Sequence, residues 1–196
     1  LFRSQGGRLI ARQLIDSGAR HVVLVGGPRS QFAEATTFPT IRYHLTVERM
    51  LADAGIACDY VEAGIVADIC AHEATARAIF ERYSDVDAIV GSDLVASVAL
   101  QEALRRGISV PRDLQIIAYD GTFMAETAGM RLTAVRQDFP AVAAALASRM
   151  DSQIAADNGT TSAAAAEGGN AVAANGGQST SEDIISVTLI PGETTR

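Results

Sequence analysis

His21-Val22-Val23-Leu24-Val25, stopped by Gly26-Gly27-Pro28, is the stretch that decides the fold. Successive residues of a strand point to opposite faces. The consecutive Val22, Val23, Leu24 and Val25 therefore offer apolar groups to both sides. Such a strand suits a parallel sheet covered on both faces by helices. The Gly-Gly-Pro stop marks a turn at its carboxyl end.

The same rhythm continues on both sides of this run. Residues 7–17 carry Leu9, Ile10, Leu14 and Ile15 at helical spacing, closed by Gly18. Downstream, residues 42–54 read as a helix ended by Gly55, and 57–62 as a strand. A helix over 73–83, with Ala76, Ile79, Phe80 and Tyr83 on one face, leads to a strand at 86–90. A helix over 94–106, stopped by Gly107, leads past Pro111 to a strand at 114–119. Repeated βα units imply an α/β fold: a doubly wound, mainly parallel sheet with helices on both faces.

After Asp120 the rhythm changes. Residues 132–135 form a short strand, and Pro140 sits in the first turn of a helix ending near 155. Residues 156–183 are nearly all Ala, Gly, Ser, Thr, Asn and acidic groups, too poor in large apolar side chains to offset the entropy of ordering. A flexible low-complexity insertion is expected there, followed by a final strand and tail over 184–196. The chain thus divides into 1–135, 136–155, 156–183 and 184–196.

Composition narrows the function. The chain has 196 residues, 48% of them hydrophobic, with 16 Lys+Arg against 23 Asp+Glu and a net charge of -7. Gripping DNA requires basic groups that displace phosphate counterions, so these residues are not expected to hold nucleic acid themselves. Cys58 and Cys70 lack metal or CxxC spacing and read as two small, partly buried thiols in a reducing compartment. No run of 18 apolar residues offers a membrane span. The opening Leu1-Phe2-Arg3-Ser4-Gln5-Gly6-Gly7 is not a secretion signal and is expected to be an internal start.

Ligands of open parallel sheets bind beyond the carboxyl ends of the strands. Three such ends carry suggestive groups: Gly26-Gly27-Pro28-Arg29-Ser30, Gly91-Ser92-Asp93 and Asp120-Gly121-Thr122. Asp93 reads either as a helix N-cap or as a ligand contact, and Asp120-Gly121 either as a common turn pair or as part of a site. Arg42 opens a helix, where a cation opposes the macrodipole and calls for an anionic or hydroxyl-bearing partner. His21, His44 and His72 do not have metal spacing, and no GxSxG elbow or kinase signature is present. No catalytic activity, metal or cofactor is expected.

Three ordered segments resemble the lactose/galactose-repressor (LacI/GalR) family. Asp87-Ala88-Ile89-Val90-Gly91-Ser92-Asp93-Leu94-Val95-Ala96 is similar to its DAI-x-x-x-ND-x-x-A segment. The stretch from Ala103 to Asp120, with Gly107, Val110-Pro111-Arg112-Asp113-Leu114 and Tyr119-Asp120, resembles AL-x-x-x-G-x-x-VP-x-DL-x-x-x-G-[FY]-D. Leu132-Thr133-Ala134-Val135-Arg136-Gln137 resembles LTT-[VI]-x-Q. Upstream, residues 7–27 resemble the segment that opens the family's C-terminal lobe.

The resemblance implies one lobe of a periplasmic-binding-protein-like fold, with residues from 136 to about 155 resembling a return helix of the other lobe. It further implies the ligand-sensing and dimerising region of a sugar-responsive, cytoplasmic repressor without its DNA-binding head. Operator DNA would be met only through that missing N-terminal domain. Carried over by motif, Arg42 matches a clamping arginine, Asp120 a carboxylate that accepts from ligand hydroxyls, and Phe139 a pocket wall. Ser92 stands where the family often has Asn, with Asp93 following. The helix after Arg42 departs from the pattern, with Leu45-Thr46 in place of a Gly-aromatic pair and one extra residue before Gly55. Ala118 replaces a glycine. A homodimer is also expected because Val95, Val98, Ala99 and Leu100 make their helix apolar on more than one side; a helix buried between layers explains the same pattern. A sugar-transport solute-binding protein is the runner-up, against which the VPRDL and LT motifs weigh. A nucleotide-using enzyme built on Gly26-Gly27 comes third.

Overall fold

The structure, a computed structural model, describes residues 2–32, 39–64, 68–166 and 186–196. It divides into two units, Leu1–Gln137 with Ser186–Arg196, and Asp138–Ile185.

The first unit is built on a six-stranded sheet of order β2-β1-β3-β4-β5-β6. Its strands are β1 (His21–Gly26), β2 (Ala57–Glu62), β3 (Ala88–Gly91), β4 (Gln115–Asp120), β5 (Thr133–Gln137) and β6 (Val187–Ile190). The first five run parallel, and β6 pairs antiparallel to β5. The apolar run in β1 is buried throughout, and its alternate residues feed different layers. Val22 and Leu24 pack with Ile10 and Leu14 of α1 (Phe2–Asp16) and with Tyr43, Val47 and Leu51 of α2 (Pro39–Asp53). Val23 and Val25 pack with Ile79 of α3 (Ile69–Arg82) and with Ala96 and Leu100 of α4 (Asp93–Arg105). Each large side chain so buried contributes about 1.5–3 kcal/mol, and this is why a strand apolar on both faces selects the doubly wound arrangement.

The sequence reading needs correcting in several places. Helix α3 begins at Ile69 instead of residue 73, because Asp68 caps it by accepting from the amides of Cys70 at 3.0 Å and Ala71 at 3.4 Å. Cys70 is exposed, not partly buried. Val95, Val98, Ala99 and Leu100 are all buried within this one chain, so the apolar excess at these positions is taken up inside it, whereas Leu104 of the same helix is exposed. A short helix, α5 (Met124–Thr127), and a 3-10 turn at Arg29–Phe32 lie where no element was expected.

At the amino end of β1 a histidine clamps three segments together. His21 Nδ1 lies 3.0 Å from Asp85 and Nε2 2.9 Å from Asp59 on β2. Carboxylates only accept, so a ring serving both nitrogens in this way carries both protons. Burial opposes that charge, but the hydrogen bonds to Asp59 and Asp85 and their negative charges outweigh it and hold the imidazole above its ordinary pKa. Asp87 accepts from the backbone amides of Arg20 and His21, each at 3.0 Å. The C-terminal tail is tied down by Thr194, whose hydroxyl donates to Ile116 O at 2.6 Å and accepts from Thr133 N at 2.9 Å.

In the second unit, the helix expected over 136–155 is α6, Phe139–Ala166. Asp138 starts it by accepting from Ala141 N at 3.0 Å, and residues 136 and 137 belong to β5. The insertion expected over 156–183 is helical as far as Ala166, since alanine is the strongest helix former and outweighs the single Gly159. The rest of that insertion lies outside the described residues. Phe139, Leu146, Met150 and Ile154 are exposed along α6.

Candidate functional site

The connection out of β1 runs to β2 on one side, whereas the chain entering β3 arrives on the other side of β1. The carboxyl ends of β1 and β3 therefore flank the topological switch point, where open α/β sheets bind ligands. Because β1, β3 and β4 are parallel neighbours, the three strand ends singled out from sequence do lie side by side.

At the end of β3, Ser92 is the N-cap of α4, its hydroxyl accepting from Val95 N at 3.4 Å. Asp93, for which a cap was one of two readings, is instead the first helical residue. It is 3% exposed, and its carboxylate reaches across to the turn after β4. One oxygen accepts from Gly121 N at 3.1 Å, and the other from Thr122 N and Thr122 Oγ1, both at 2.6 Å. Asp93 therefore sets the shape of the turn that carries Asp120. From the other side Arg136 Nε donates to Gly121 O at 3.0 Å. Gly121 has φ +65°, and a Cβ there would stand 2.7 Å from the Cα of Arg136. No other residue meets both the left-handed backbone and the close approach. Asp120, the last residue of β4, is half-buried on this fixed turn.

Two further site residues were expected from the sequence. Arg42 lies on the backbone of α2, but its side chain is outside the described residues. Phe139, half-exposed, is the first residue of α6 and belongs to the second unit.

The sequence reading missed an aromatic and charged cluster at the ends of β1 and β2. Tyr60 Oη donates to Gly27 O at 2.7 Å, and the Arg29 guanidinium stands 4.3 Å over the Tyr60 ring. The amide of Arg29 donates to Glu62 at 2.8 Å, and its guanidinium pairs with Glu48. His44 of α2 packs edge-on against Tyr60 and Tyr119, with ring centroids 5.2 and 5.5 Å away. Burial, with the Arg29 charge adding to it, lowers the pKa of His44 to about 4, so it is neutral near pH 7. Burial likewise pushes the Cys58 thiol up to about 12 and the Tyr60 hydroxyl to about 12, leaving neither as a nucleophile. Only the Gly-Gly-Pro turn signalled this cluster locally. Among the described residues, no group of three or more His, Cys, Asp or Glu is placed to hold a metal ion. No helix among them is long and apolar enough to cross a membrane.

The fold has known counterparts. The family model for a periplasmic binding protein-like domain matches residues 11–172. The HTH-type transcriptional regulator CelR of Thermobifida fusca is 29% identical over 136 residues, 67% of this chain and 38% of that protein. The ribose operon repressor of Bacillus subtilis is 31% identical over 118 residues, 59% of this chain and 33% of that protein. The chain thus spans little more than a third of these relatives. Among solved structures, a CelR–cellobiose complex superposes with a TM-score of 0.71 at 21% identity, over 99% of this chain and 52% of that one. A LacI family regulator from Arthrobacter sp. FB24 in complex with lactose does so with a TM-score of 0.76 at 20% identity, over 99% and 64%. With its mainly parallel sheet and a family match over residues 11–172, the chain belongs to the periplasmic binding protein-like domain family, and the relatives it resembles are LacI-type transcriptional regulators.

Proposed function

We propose that this chain is the effector-sensing region of a sugar-responsive transcriptional repressor. The observation that carries the reading is the turn bearing Asp120, held at the switch-point edge of the sheet by Asp93 on one side and Arg136 on the other. A carboxylate on a preorganised turn accepts from ligand hydroxyls through charge-assisted bonds of about 1.5–3 kcal/mol each. Ser92 adds a second polar group on the neighbouring strand end, with Asp93 shaping the turn. By the motif alone, Arg42 is a further proposed ligand contact. That sugars occupy two of its structural neighbours, and that its relatives include a ribose operon repressor, supports a sugar as the effector class.

The relatives named above are regulators, not enzymes or transport proteins, which favours this reading over a solute-binding protein and over catalysis. Operator DNA would be contacted by a segment outside this chain, whose charge of -7 does not suit phosphate, and such a regulator works in the cytoplasm. Titration calorimetry of the full-length protein with ribose, sucrose, cellobiose and lactose tests the reading, since binding to this one lobe alone is expected to be weak. At least one should bind saturably, and Asp120→Ala should weaken it by about tenfold or more; unaltered affinity in that variant removes the site.

A homodimer belongs to the same proposal, since two-fold symmetry suits a palindromic operator. With Val95, Val98, Ala99 and Leu100 buried inside the chain, its interface lies on other surface. Sedimentation at micromolar concentration should show twice the 20.5 kDa chain mass, whereas a single 20.5 kDa species counts against it.

A further inference from the structure

The short helix α5 covers far less of the sheet than α4 does, and beside it a hollow of about 370 Å³ remains over β5 and β6. Its floor is apolar, formed by Leu132, Ala134 and Ile190, and its rim carries Glu126, Arg131 and Arg136. We propose that this hollow is a second small-ligand site, separate from the strand-end site, that takes a compact anion: a carboxylate or phosphate monoester with a small apolar body.

The rim supplies the recognition. The lining carries two guanidiniums and one carboxylate, with the Glu193 carboxylate beside Arg131. Arg136 Nη2 pairs with Glu126 at 2.5 Å, which holds the planar fork in place. The Arg131 guanidinium has no ion-pair or hydrogen-bond partner among the described residues, while its backbone amide is anchored to Glu193 at 2.8 Å. Guanidinium groups bind carboxylate and phosphate oxygens through paired, charge-assisted bonds. The volume lies within the usual range for small-molecule pockets, about 300–1,000 Å³, and the buried Leu132 and Ala134 suit an apolar remainder. An anion bound between the two arginines competes with Glu126 for Arg136. Since Arg136 Nε also holds Gly121 O, the occupant lies one side chain from the turn that bears Asp120.

Thermal unfolding at constant ionic strength tests the site, with inorganic phosphate and malonate as probes against sodium chloride. Either probe should raise Tm saturably, by about 3–6 °C at ten times its midpoint concentration. Arg131→Gln should raise the midpoint about tenfold. Glu126→Gln should lower it several-fold, because the competing carboxylate is gone; a merely structural Glu126–Arg136 pair would not do this. Arg131 is exposed, so its variant remains informative if Arg136→Gln fails to fold. A shift that sodium chloride reproduces, or one unchanged in Arg131→Gln, overturns the proposal. Its outcome is independent of sugar binding at Asp120.

Discussion

Asp93→Ala should lower the unfolding free energy by about 3–5 kcal/mol, the largest single effect expected in this molecule. The carboxylate is 3% exposed and accepts from two backbone amides and one hydroxyl, all in the turn after β4. Hydrogen bonds to a charged group are worth about 1.5–3 kcal/mol each, and removing the acceptor leaves buried donors without a partner. Asp93→Asn is the control. Its amide keeps one acceptor but turns an NH2 toward a donor, so about half the loss or more should remain. Urea denaturation at pH 7 measures both; a shifted midpoint with an unaltered m-value reports stability itself. A loss below about 1 kcal/mol in the alanine variant would mean that the turn is held by something other than this carboxylate.

Acidification provides the second large effect. His44 has its pKa lowered from 6.5 to about 4 by burial and, secondarily, by Arg29, and its Nε2 finds no hydrogen-bond partner. In the unfolded chain the same ring takes up its proton near pH 6.5. The unfolded state therefore binds more protons over the interval between the two values, and stability falls as pH drops from 6.5 to about 4. Integrated over that interval, one site is worth about 3 kcal/mol. Other groups titrate there as well, so the informative quantity is the difference between the protein and His44→Leu. Leucine removes both the titration and the orphaned nitrogen at nearly constant volume. The variant should gain about 3 kcal/mol relative to the parent between pH 6.5 and 4, and should be no less stable at pH 7. Parallel pH profiles would show that His44 is not titrating in this way. His21 acts in the opposite sense. Its pKa is raised by Asp59 and Asp85, so its contribution is complete below the unfolded value and fades as pH climbs through the folded one.

How much of this was legible in advance depends on whether the cause lies in neighbouring residues. Consecutive apolar groups such as Val22 to Val25 state locally that both faces of a strand are buried, and Gly18, Gly55 and Gly107 mark helix ends locally. The sheet, its parallel direction and the alignment of three strand ends follow from these. The length of α6 is also a local matter: alanine propensity carries it to Ala166, past Gly159 and despite few large apolar groups.

The sequence by itself therefore determined the alternation of elements, the mainly parallel sheet and the side-by-side placing of three strand ends. Tertiary structure alone decided what the individual polar groups do. The partners of Asp93 lie 28 and 29 residues away, and those of His21 lie 38 and 64 residues away; no local pattern encodes either pairing. Whether the apolar surplus of α4 met a second chain or its own sheet was equally undecided until packing buried Val98 and Leu100. Periodicity records how much of a residue is buried, because burial repeats along a helix or strand. Hydrogen bonds and charge pairs depend on which distant atoms arrive, and that is fixed only when the chain closes on itself.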